Sequence, residues 1–162
     1  MNAIDLLIKQ HRELEARMKS WGEAREAAEQ RRIFEDVGDQ LTVHLASEEQ
    51  VFYPAVKARR TEDILLESLE EHLSLKRLLS DLLELPQDDP TFEAKFKVLK
   101  EQTEHHHKEE EENLFPKVRQ LLDGDSLARL GEEMAALQLK LRREGEPREA
   151  VSTQTDKAAP LK

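Results

Sequence analysis

At 162 residues the chain is long enough for one domain with a proper core and too short for two. A formal charge of −10 excludes the concentrated basic face that phosphate recognition needs, so no nucleic-acid partner is expected. The absence of cysteine excludes disulfides, thiolate zinc sites and iron–sulfur clusters, leaving imidazole and carboxylate as the only metal donors.

Hydrophobic residues are 38% and charged residues 37%, the balance of helices with one buried stripe and one solvated face. Leu, Glu, Lys, Arg and Ala dominate and β-branched runs are nearly absent, which predicts an all-α fold. No apolar run is long enough to span a membrane, and the N-terminus lacks a signal peptide's charged start and apolar stretch. A cytoplasmic protein is expected.

In chain order, Asn2 caps a first helix with Asp5 three residues on, and Leu6, Leu7, Leu14 and Met18 recur at helical spacing. A turn is expected over residues 20–22. A second helix runs from about Glu23 to Lys57, with Ile33, Val37, Leu41, Val51 and Phe52 inward and Pro54 loosening its end. Thr61 caps a third helix carrying Leu65, Leu69, Leu75, Leu78, Leu79 and Leu82, and Pro86 closes it. Asp89 and Pro90 read as cap and first residue of a fourth helix that reaches about Leu122 and ends at Gly124. A shorter fifth helix follows from Ser126 to Arg143. The domain is therefore expected over 1–143, with a polar, flexible tail over 144–162.

An internal repeat underlies this order. His44 and His106 lie 62 residues apart, as do Pro54 and Pro116, while His11 and His72 lie 61 apart. Each half has one histidine on its first helix and a His-x-x-x-Glu-Glu segment on its second: His44 with Glu48, and His106 with Glu110. The i, i+4 spacing puts imidazole and carboxylate on one helical face, where an ion can rest against both. His11 is in phase with Leu7, Leu14 and Met18, and His72 with Leu65, Leu69, Leu75 and Leu79, so both point inward. A lone histidine on an apolar stripe is more often a hydrogen-bonded core residue, and a lone His-x-x-x-Glu a solvated pair. Their coincidence on four helices in register is what a surface-charge reading fails to predict.

Within the His105-His106-His107 triplet, the distance to Pro116 matches His106 to His44. Helix neighbours stand about 100° apart, so His105 and His107 are expected on other faces, toward solvent or in an outer layer. Glu49 and Glu111 fall outside the ligand set unless a helix rotates, and Glu15 or water is a further candidate.

The sequence resembles the hemerythrin-like, HHE cation-binding family in Leu6 to Glu13, the two His-x-x-x-Glu-Glu-x-x-apolar-aromatic-Pro segments, and Glu70-Glu71-His72. The resemblance covers roughly residues 2–143. It implies an up-down-up-down four-helix bundle with a non-haem di-iron centre, oxo- or hydroxo-bridged. His11, His44, Glu48, His72, His106 and Glu110 would ligate the irons, with both glutamates bridging. Oxygen-carrying relatives have a further histidine four residues after the one on helix three; here that residue is Lys76. Iron preferring about six positions would then keep about two open, a site suited to reaction more than to clean storage of O2.

The expected function is therefore binding of, or reaction with, O2, nitric oxide or peroxide in sensing or stress protection. No additional general acid or base singles out an enzyme that consumes peroxide or nitric oxide. The alternative is an iron-responsive or structural bundle that controls a protein partner, and a redox or signalling partner fits either reading.

Overall fold

The computed structural model describes residues 1–162, all helix and connection without a strand. Helix α1 spans Ala3–Glu23, α2 Ala27–Ser47, α3 Tyr53–Val56, α4 Glu62–Glu84, α5 Phe92–Glu109, α6 Phe115–Leu121 and α7 Gly124–Arg143. None is long and apolar enough to cross a membrane. The main packing pairs are α1 with α2 and α4 with α5, with α7 lying against both α1 and α2.

Helix α1 begins as expected, with Asn2 Oδ1 accepting the Asp5 N–H at 2.9 Å. It does not stop at residues 20–22. Trp21 is buried and stacks on Phe96, with ring centroids 4.2 Å apart, and the helix runs through these residues to Glu23.

The two prolines reshape the long helices. A proline ring in α-helix collides with the carbonyl four residues back. Ahead of Pro54 and Pro116 the chain widens into one π-turn, over Glu48–Phe52 and Glu110–Leu114. There the N–H of Tyr53 reaches back to the Glu48 carbonyl, and that of Phe115 to the Glu110 carbonyl. The second and fourth long rods are thus α2–π–α3 and α5–π–α6, and each π-turn starts on a glutamate of the repeated motif.

Connections also differ in detail from expectation. Thr61 does not cap α4 through its side chain; its hydroxyl donates to the Val56 carbonyl at 2.8 Å and closes the turn before the helix. Asp89 accepts the Thr91 N–H at 2.8 Å in a turn, and α5 starts only at Phe92. Gly124 opens α7 instead of ending its predecessor, because Asp123 caps that helix by accepting the Ser126 N–H at 2.8 Å.

The tail expected to be flexible is packed. After Gly145, at φ 133° where glycine is favoured, residues Pro147–Thr153 form a 3₁₀ turn along the bundle. Val151 is buried with Leu14, Leu41 and Leu79, while Arg148 reaches Glu35 at 2.9 Å and Asp39 at 3.0 Å. Arg77 donates to the Thr155 carbonyl at 2.9 Å, and Leu161 packs on a second apolar cluster. One inserted valine and one buried-face arginine hold a segment whose composition alone reads as solvated.

The core is two clusters, not one. The first collects Leu14, Met18, Phe34, Leu41, Leu75 and Leu99 among others; the second collects Ile4, Leu7, Phe52, Tyr53, Leu69 and Leu114. Along each rod the histidines fall at the change of cluster: His11 between Leu7 and Leu14, His72 between Leu69 and Leu75. The two apolar halves therefore enclose a polar layer.

Candidate metal centre

That layer contains His11, His44, Glu48, His72, His106 and Glu110, all but inaccessible to solvent. Leu7, Leu14, Leu41, Phe52 and Leu114 are buried too. Glu48 Oε1 lies 3.2 Å from His72 Nε2, 3.5 Å from His44 Nε2 and 3.9 Å from His106 Nε2. Glu110 Oε1 lies 3.2 Å from His11 Nε2 and 3.5 Å from His106 Nε2. Each carboxylate thus stands between imidazoles of different rods, and the widened π-turn under each glutamate sets where its side chain enters the layer.

The outer nitrogens are all held. His11 Nδ1 donates to Glu111 at 2.8 Å, His72 Nδ1 to Glu49 at 2.8 Å and His106 Nδ1 to Glu71 at 2.7 Å. His44 Nδ1 donates to Gln10 Oε1 at 3.0 Å. A proton on Nδ1 leaves the inward Nε2 with its lone pair, the state a metal ligand requires. Glu111 is paired in turn with Arg12, and Glu49 with Lys76 at 2.8 Å. Gln10 is locked by Gln138 of α7, whose amide donates to it at 3.0 Å and to Ser47 Oγ at 2.9 Å. The fifth long helix therefore props a histidine of the layer.

Lys76 is not a surface lysine in place of a ligand. Its ammonium is buried against Glu49, so the position orients His72 through a carboxylate. Glu49 and Glu111 lie outside the inner group. So does Glu15, which accepts from His107 Nδ1 at 2.7 Å.

His107 departs from expectation. It is 2% exposed, whereas the His105 side chain is 64% exposed. Its ring stacks on His11 with centroids 3.8 Å apart and planes 9° apart. The signal was present in the chain: Phe96, Leu99, Thr103, His107 and Leu114 recur at helical spacing, all buried. Matching to Pro116 gave His106 the inward face, but α5 faces α4 on one side and α1 on the other, so two neighbours are enclosed. Tyr53 was also missed as a polar group. Its hydroxyl donates to Glu110 Oε2 at 2.6 Å and stands 3.2 Å from His72 Nε2; the matching residue in the other half is Phe115.

Electrostatically the layer is unfinished without a cation. Burial, then repulsion from Glu110, raises the Glu48 carboxyl. Burial opposes ionisation of Glu110 as well, but His106 and hydrogen bonds from neighbours outweigh it and hold it well below the usual range. Burial pulls His11 down, yet the negative charges of Glu110 and Glu111 beside it outweigh it and raise it to about 9. Burial also lowers His107, to about 4, and His44 well below its ordinary value. The decisive observation is polar atoms with no partner: His11 Nε2, His44 Nε2, both Glu48 oxygens and Glu110 Oε1 are buried and unsatisfied. Donor atoms of His11, His44, Glu48 and Glu110 lie within 4.8 Å of one another, as do those of Glu48, His72 and His106. Converging, orphaned nitrogen and oxygen donors fit a metal ion and leave five buried polar atoms unexplained otherwise.

Fold and site together define an all-helical bundle able to hold cations between its helices. The family model of the hemerythrin HHE cation binding domain matches residues 2–118, and the chain belongs to that family. It is 30% identical over 138 residues to the uncharacterised proteins Rv2633c of Mycobacterium tuberculosis and Mb2666c of Mycobacterium bovis, covering 84% of this chain and 84% of each. A crystal structure of a hemerythrin HHE cation binding domain-containing protein from Mycobacterium kansasii, a Rv2633c homolog, is similar with a TM-score of 0.81. Its identity is 26%, over 94% of this chain and 98% of that one.

Proposed function

We propose that the chain holds two non-haem iron ions through His11, His44, Glu48, His72, His106 and Glu110, with both glutamates shared between the ions. The protein then binds or reacts with O2, nitric oxide or peroxide. The observation that carries this reading is the set of five orphaned donors in a layer whose histidines are all clamped from outside. Glu48 belongs to both groups of converging donors, the position a shared carboxylate would take. Reduced irons would supply electrons and open Lewis-acid positions.

The chain's own residues set the conditions. Outer carboxylates hold His11, His72 and His106 in one tautomer and raise their basicity, and the Gln10 amide oxygen fixes the tautomer of His44. The two apolar clusters keep bulk water from the layer. Tyr53, whose hydroxyl burial raises well above its ordinary value, stays protonated and offers a hydrogen-bond donor beside Glu110 and His72.

The test is metal analysis followed by absorption spectra of the reduced protein with O2, nitric oxide and peroxide. About two irons per chain and a spectral response to one of these molecules is expected. A single zinc or no metal per chain would overturn the reading. His106→Ala should lose metal and His105→Ala should retain it.

A further inference from the structure

The fourth rod brings a second imidazole to the layer that the repeated motif does not assign. His107 lies beside His106 on α5 but faces α1, and its donor atom converges with those of His11 and His44 within 4.8 Å. We infer that His107 is a fifth imidazole ligand, completing a three-histidine ion with His11 and His44 and leaving the other ion with His72 and His106 alone. This rests on the di-iron reading above.

Three observations support it independently of sequence pattern. His107 Nδ1 donates to Glu15 at 2.7 Å, the same outward clamp that His11, His72 and His106 have on Glu111, Glu49 and Glu71. Glu15 is anchored in turn by Arg12 at 2.7 Å, the arginine that also holds Glu111, so one cation fixes the outer partners of both stacked rings. The His107 ring also lies against those of both other histidines, its centroid 3.8 Å from that of His11 and 5.9 Å from that of His44, so a small tilt of the stacked pair brings both inward nitrogens onto one ion. A histidine kept only to satisfy Glu15 needs one ring nitrogen; it has no need to bring the other among the donors of two more histidines.

The consequence is an asymmetric centre. In oxygen-carrying relatives the resemblance puts the extra histidine on the third helix, and here that place is taken by Lys76, which binds Glu49. The fifth imidazole comes instead from the fourth rod and joins the opposite pair. The donor-poor ion is then the one between His72 and His106, and small molecules approach on that side.

The experiment counts coordinated histidines in the iron-loaded full chain. Each ligating imidazole with a protonated Nδ1 contributes one hyperfine-shifted, solvent-exchangeable proton resonance. Five are expected in the unmodified protein and four in His107→Gln, while His105→Ala keeps five. Metal analysis of the same samples separates the two readings. About two irons with four resonances, unchanged in His107→Gln, would overturn the fifth ligand and leave the di-iron reading standing. Fewer than two irons in the unmodified chain would overturn both. Should His107→Gln fail to fold, the count on the unmodified protein decides: five supports the assignment and four refutes it. Affinity is the weaker discriminator, since losing an outer partner alone can cost about 10–100-fold.

Discussion

Replacing Lys76 with methionine isolates what this buried lysine does. The Lys76 and Glu49 side chains are 6% and 9% exposed and pair at 2.8 Å. Methionine conserves most of the volume, so the loss is electrostatic: Glu49 keeps only its bond from His72. Breaking a buried pair by removing one partner costs about 3–5 kcal/mol. Glu49 can limit that cost by taking up a proton, which for an ordinary glutamate at pH 7 requires about 3.7 kcal/mol. The expected destabilisation of the metal-free protein at pH 7 is therefore about 2–4 kcal/mol, measured by urea unfolding with its midpoint and slope. The deficit should depend on pH with a defined sign. In the unmodified chain burial opposes ionisation of Glu49, but bonds from His72 and then Lys76 outweigh it and lower its pKa. That contribution is present above the unfolded value near 4.3 and is lost as pH falls through the lowered folded value. In Lys76→Met the folded carboxyl protonates more readily, so the gap between variant and parent should narrow toward pH 4–5. A variant within about 0.5 kcal/mol of the parent at pH 7, or a gap independent of pH, would refute the argument.

Gly131 on α7 is where the chain start crosses closest: a Cβ there would lie 2.3 Å from the Met1 carbonyl oxygen and 2.9 Å from the Ala3 nitrogen. Gly131→Ala should destabilise by about 1–3 kcal/mol, despite about 1 kcal/mol gained in helix propensity, and an unchanged or raised Tm would contradict the packing. Deleting residues 144–162 removes Val151 from the core and Arg148 from Glu35 and Asp39, and should cost at least about 2 kcal/mol in denaturant melts. A truncated chain as stable as the full one would return the segment to a passive tail. In the metal-free protein His11 is raised to about 9 and His106 well above its ordinary value, so both carry protons at pH 7 that a metal must displace. Loading iron in weak buffer should release protons, and affinity should fall as pH falls; loading without proton release would show the layer to be neutral beforehand. By the same sign, these two histidines stabilise the metal-free fold most below about pH 6.5, and the His11 share fades as pH rises through about 9.

Much of the layer was legible before any coordinates. Helix-period apolar residues around His11 and His72 state which way those rings face, because a stripe buried on one side carries its in-phase neighbours inward. The doubled His-x-x-x-Glu segment picks out His44, Glu48, His106 and Glu110 by local geometry, since i, i+4 residues share a face whatever the fold around them. These are short-range consequences of the α-helix.

What escaped reading depends on which surfaces meet. His107 sits one residue from a recognised position, and periodicity alone assigns it a different face; only the placing of α1 beside α5, with Glu15 waiting there, buries it. Lys76 reads as a surface charge until Glu49 covers it from another rod. The tail's polarity suggests solvent, yet Val151 and Arg148 find partners on α2. Pro54 and Pro116 foretell a disturbance in their helices, but its relief as π-turns beginning on Glu48 and Glu110 is visible only in the structure. The sequence by itself determined the helices and the inward donors, because both follow from contacts within a few residues. Tertiary structure alone decided the partners of those donors and the burial of their neighbours, because a side chain's environment is made by helices distant in the chain.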